Sequence, residues 1–104
     1  MKTSSKVLLY LYRDYLKRTK IENEVNTAHH FNEEPIVLKQ LNLDLELDQF
    51  HDSLEKLSEE GFLHTPLNTF DGYPEFTLTS YAIDSLNDEF DADINKVENS
   101  IRSF

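Results

Sequence analysis

The stretch LDQFHDSLEKLSEEGFLHTPLNTFDGYPEFTLTSYAIDSL, residues 47–86, decides the fold of this chain. Phe50, Leu54 and Leu57 recur at spacings of four and three, which predicts an amphipathic helix over 48–60 that Gly61 stops. Phe62 and Leu63 carry apolar character past the stop. Asp71-Gly72 then lies between apolar-rich arms. Both residues tolerate positive φ, so segments 62–65 and 75–78 are expected to pair as a hairpin. Pro66 and Pro74 confine their segments to sheet edges or irregular pairing. Thr79 reads as the N-cap of a closing helix. Ile83, Leu86, Phe90, Ile94, Val97 and Ile101 follow at spacings of 3, 4, 4, 3 and 4, a heptad-like seam that predicts one long helix over 79–104.

Upstream, a first helix is expected from Ser4 or Ser5 to about Arg18, with Leu8, Leu11, Tyr12, Tyr15 and Leu16 on its core face. Lys17, Arg18 and, just beyond, Lys20 gather at its C-terminal end, where the helix dipole favours cations. Segment 21–31 is irregular and reads as a loop with a short strand near Val25. A second short helix begins near Asn32, with Glu33, Glu34 and Pro35 in its first turn, and runs through Ile36, Val37, Leu38 and Leu41. Segment 41–47 alternates apolar and polar residues, locally a strand pattern. Between two helical patterns it reads better as the turn that joins them. The fold class is α+β, mainly helical, in a single domain over 1–104.

The 104 residues suffice for one core and are too few for two. No run of about 18 apolar residues is present to cross a bilayer. No small-residue cleavage site follows the basic start. Cysteine is absent. The expectation is a cytoplasmic protein with no membrane partner, disulfide or thiolate metal site. The net charge of -10 is unevenly spread: through Lys39 seven Lys/Arg stand against five Asp/Glu, and from Gln40 onward three stand against fifteen. Generic attraction to nucleic acid or anionic lipid is therefore disfavoured, and a basic partner fits better. Solubility alone is the plainer account of the same acidity.

The seam of the closing helix exceeds what one small domain can cover, so its second half is expected to meet either the first helix or a second copy. The second copy is preferred, making Phe90, Ile94, Val97 and Ile101 dimerisation residues.

The order helix, helix, helix, hairpin, helix resembles the winged helix-turn-helix superfamily, including small bacterial and phage proteins of the MarR-like, PadR-like and YjcQ-like kinds. Leu54, Leu57 and Glu60-Gly61-Phe62-Leu63 look like the end of a recognition helix. Phe76-Thr77-Leu78-Thr79-Ser80-Tyr81-Ala82-Ile83-Asp84-Ser85-Leu86 looks like the entry to the helix after the wing, with Ala82 where Gly is usual. The resemblance implies a transcription regulator that binds DNA as a homodimer, with the third helix in the major groove and the wing along the backbone. Gln49, His51, Ser53 and Lys56 would then be base-side contacts, and Lys17, Arg18, Lys20 and Lys39 a phosphate clamp.

The outward face of the third helix is mostly carboxylate, and segment 62–78 contains neither Lys nor Arg. A second reading follows: an acidic interaction module, DNA-mimicking in its charge, that uses Asp52, Glu55, Glu59 and Asp71 to hold a basic protein partner. His29-His30, His51 and His64 do not make a metal set, because adjacent His side chains on regular structure diverge and no Cys supplements them. Gly61 and Gly72, the chain's two glycines, cannot build a phosphate loop, and no nucleophile motif is present. Neither an enzyme nor a cofactor is expected.

Overall fold

Helix α1 (Thr3–Thr19) turns Val7, Leu8, Leu11, Tyr12 and Leu16 inward at helical spacing, and packs against three later helices. The computed structural model describes residues 3–21, 27–65 and 73–103. After α1 come β1 (His30–Phe31), α2 (Glu34–Leu41), α3 (Leu47–Glu59), β2 (Leu63–His64), β3 (Phe76–Leu78), α4 (Ser80–Phe90) and α5 (Ile94–Arg102). The outcome is a mainly helical α+β fold with a small antiparallel sheet.

The segment between α2 and α3 is a turn. Asn42 closes α2 in the left-handed conformation, with φ 55°, and its amide bonds the Lys39 carbonyl. Asn accepts this conformation more readily than most residues. Leu43 is buried and Leu45 half-buried, so the alternation that looked like a strand is a chain dipping its leucines into the core. At the start of α3 the Gln49 side chain accepts the Glu46 amide at 3.2 Å, one half of a capping box. At its end the Phe62 amide bonds Leu57 O at 2.9 Å and the Gly61 amide bonds Ser58 O at 3.1 Å. This pair of bonds is the Schellman motif, and Gly61 supplies the φ of +86° it requires.

The sheet has order β1-β3-β2, with Phe31 opposite Phe76, Leu63 opposite Leu78, and Thr77 between His30 and His64. Segment 21–31, expected to be a loop with a short strand near Val25, instead ends in β1. A two-residue strand has no periodicity of its own. Its evidence is tertiary: the Phe31 and Phe76 rings stack with centroids 5.2 Å apart. The Asp71-Gly72 turn and the strand expected near Val25 lie outside the described residues.

The single long helix expected over 79–104 is corrected to two. Thr79 caps α4 as expected, its Oγ1 accepting the Ala82 amide at 3.1 Å. The helix then stops at Phe90, because Asp91 and Ala92 both adopt left-handed backbone, with φ 55° and 53°. Asp93 starts α5 by accepting the Asn95 amide on Oδ1 at 2.9 Å. The break turns α5 back onto α1. Val97 becomes fully buried, Phe90 is buried, and Ile94 and Ile101 pack at the margin of the core. Of the four residues expected to dimerise, Phe90 and Val97 are thus buried within the chain, where α5 packs on α1, and Ile94 and Ile101 stay partly exposed.

Backbone strain makes two opposite predictions. In Gly61→Ala the new Cβ meets only Tyr81 Cδ2, at an ordinary 3.8 Å, so the cost is conformational: a loss of about 1 kcal/mol in urea unfolding. Ala92→Gly relieves a left-handed alanine and raises stability by about 0.5–1 kcal/mol in the same assay.

Candidate functional site

Helix α3 carries most of the residues on which both functional readings rest, and packing sorts them. Ser53, expected among base-side contacts, is corrected to a buried position, 5% exposed, where its hydroxyl donates to Gln49 O at 2.9 Å. Gln49 is exposed, but its carbonyl is engaged in the cap of its own helix. Lys56 stands exposed with no ion-pair partner among the described residues.

His51 is the centre of a polar cluster. Its Nδ1 lies 2.6 Å from Glu34 Oε1, and its Nε2 lies 2.9 Å from Glu55 Oε1. Glu55 follows His51 by four residues on the same helix face. Glu34 comes from the first turn of α2 and is only 2% exposed. Tyr73, on the segment entering β3, stacks its ring on the imidazole at 5.0 Å, and its carbonyl accepts the Glu34 amide at 3.4 Å. One side chain thus ties α2 and the β3 arm to α3.

The geometry also sets the charge. A neutral imidazole has one N–H, yet both ring nitrogens face carboxylate oxygens, so the arrangement is satisfied by an imidazolium donating to both. Burial alone pushes the His51 pKa down, but the hydrogen bonds and charges of Glu34 and Glu55 outweigh it and hold it above the ordinary 6.5. Tyr73 is pushed up in turn, by burial first and then by the charge of Glu55. With both nitrogens occupied, His51 joins the carboxylates of Glu34 and Glu55 in one hydrogen-bonded tie. The sequence placed Glu34 only as a helix-start carboxylate. Nothing linear connects it to a histidine 17 residues away.

The proposed clamp cations do not act alike. Lys17, Lys20 and Lys39 are exposed, without ion-pair partners among the described residues. Arg18 is engaged instead: it pairs with Asp14 at 2.8 Å, donates to His30 O, and lies 4.2 Å over the Phe31 ring. With His30, Asn32 and Gln40 these residues border an open polar groove of about 390 Å³. His29 and His30, expected to diverge, instead place their rings 4.3 Å apart. Burial, then His30, then Arg18 lower the His29 pKa.

On the acidic side, Asp52 and Glu59 are exposed, Glu55 is shared with His51, and Asp71 lies outside the described residues. Among the described residues no three His, Asp or Glu side chains converge to hold a metal ion, and no helix is long and apolar enough to cross a membrane. No family model, curated protein or solved structure matches the chain.

The tie makes stability depend on pH with a definite sign. A histidine whose folded pKa is raised stabilises fully below its unfolded value of 6.5, and that contribution is lost as pH rises through the higher folded value. The urea midpoint should therefore fall with rising pH in wild type relative to His51→Gln. That difference separates His51 from His29, whose lowered pKa acts in the opposite direction. His51→Leu, which leaves Glu34 buried without a cation, should cost about 3 kcal/mol at neutral pH.

Proposed function

We propose that this chain is a small regulatory protein on a winged helix-turn-helix scaffold whose α3 binds a basic protein surface. The scaffold reading is supported by the helix pair α2 and α3 joined by a tight turn, then the strands β2 and β3 of the hairpin, then the Thr79-capped α4. The single observation that carries the choice of partner is what remains available on α3. Ser53 is buried, Gln49 serves the helix cap, and His51 is held between two carboxylates. Asp48, Asp52, Glu59 and Glu60 stay exposed, with Lys56 the one exposed cation of that helix.

This charge distribution repels a phosphate backbone and attracts Lys- or Arg-rich protein. The family reading, a DNA-binding regulator, rests instead on Lys17, Lys20 and Lys39. The two readings predict opposite responses to charge reversal. Fluorescence anisotropy with a labelled random-sequence duplex and a labelled arginine-rich peptide, at about 50 and 200 mM salt, separates them. Peptide binding that Asp52→Lys with Glu59→Lys weakens about tenfold, and Lys17→Glu with Lys20→Glu leaves intact, is the expected result. Duplex binding abolished by the lysine reversals would overturn the proposal in favour of the regulator that contacts DNA.

A further inference from the structure

Tyr81 is the most exposed large apolar side chain among the described residues, at 59%. It is nonetheless held in place. One face of its ring stacks on Phe62, with centroids 5.4 Å apart and planes 22° apart. Its Cδ2 lies 3.8 Å from the position a Gly61 Cβ would take. Thr79, two residues before it, donates its hydroxyl to Gly61 O at 2.7 Å and its amide to Phe62 O at 3.1 Å. The ring is thereby fixed beside the C-terminal end of α3.

The electrostatics of that end are unbalanced. Helix carbonyls leave partial negative charge at a C-terminus, where cations are favoured. Here the last turn of α3 carries one cation, Lys56, and ends on Glu59 with Glu60 as its C-cap, all three exposed. On the α4 side, Asp84 lies three residues after Tyr81 and Asp88 four after Asp84, so all three share one exposed helix face. Helix α4 contains no basic residue. A supported aromatic ring thus shares its helix face with Asp84 and Asp88 and packs beside Gly61, which directly follows Glu59 and Glu60.

Resting on the acidic-module reading above, we infer that Tyr81 with Glu59, Glu60, Asp84 and Asp88 is the docking ledge for an arginine of the basic partner. Arginine fits better than lysine. Its planar guanidinium stacks on an aromatic face and still presents a fork of donors to carboxylates, whereas an ammonium is compact and more strongly hydrated. The supported ring costs little further ordering on binding.

The test is anisotropy of fluorescein-labelled nona-arginine and nona-lysine titrated with the full chain, in wild type, Tyr81→Ala and Tyr81→Phe. Nona-arginine should bind about fivefold tighter than nona-lysine, Tyr81→Ala should remove most of that preference, and Tyr81→Phe should keep it. Equal binding of the two peptides, or a preference indifferent to Tyr81→Ala, overturns the ledge while leaving the acidic-face reading to its own charge reversals. Failure of wild type to bind either peptide overturns both. Self-association that depends on Tyr81, seen by sedimentation, would give the ledge to a second copy and also overturn the inference.

Discussion

Val7, Leu11 and Tyr12 are completely buried because α1 is enclosed by α3 and by the returning α5. Side chains of this size contribute about 1.5–3 kcal/mol each when removed from water, so a small chain depends heavily on such a central helix. The enclosure has a polar condition. The Tyr12 hydroxyl ends inside the fold and donates to Asn87 Oδ1 of α4 at 2.5 Å. Burial, with the neighbouring Tyr15, pushes its pKa up to about 12, so it stays a donor across the ordinary pH range. The bond joins α1 to the helix whose sharp stop allows α5 to fold back.

Helix α3 faces three environments at once. Phe50, Leu54 and Leu57 point into the core. His51 reaches sideways to Glu34 and supports Tyr73. Asp52 and Glu59 face solvent. The buried Glu34 is tolerable because a positive imidazolium and a helix N-terminus both meet it. Carboxylates therefore have two roles here. Glu34 is consumed internally as part of a joint, and the exposed set defines the sign of the field a partner meets.

Much of the fold was legible from spacing. The apolar period of α1 and α3, the Gly61 stop and the Thr79 cap each follow from local stereochemistry, and each lies within two residues of where the pattern put it. The candidate site was less legible. The i, i+4 pairing of His51 with Glu55 could be read off the chain, and the Glu34 and Tyr73 partners could not. Ser53 looked like a polar face residue and became a buried one, because its hydroxyl can satisfy itself on the preceding turn. The heptad-like seam after Thr79 was misleading for a related reason. Apolar spacing continues through Asp91 and Ala92 while the backbone does not, and an Asp that caps a new helix was the local signal of the break.

What the amino-acid sequence determined by itself was the first three helices and the start of the fourth, their apolar faces and the acidic sign of the surface, since these depend on residue type and short-range spacing. Tertiary structure decided which of those residues remained available. Whether the second half of the seam packed on α1, whether His51 was a free side chain or a clamped one, and whether Tyr81 was packed or displayed all depend on groups far apart in the chain. Such proximities arise from the direction in which each turn sends the next helix. A left-handed pair at Asp91 and Ala92 reverses the path of the chain without disturbing the apolar pattern on either side.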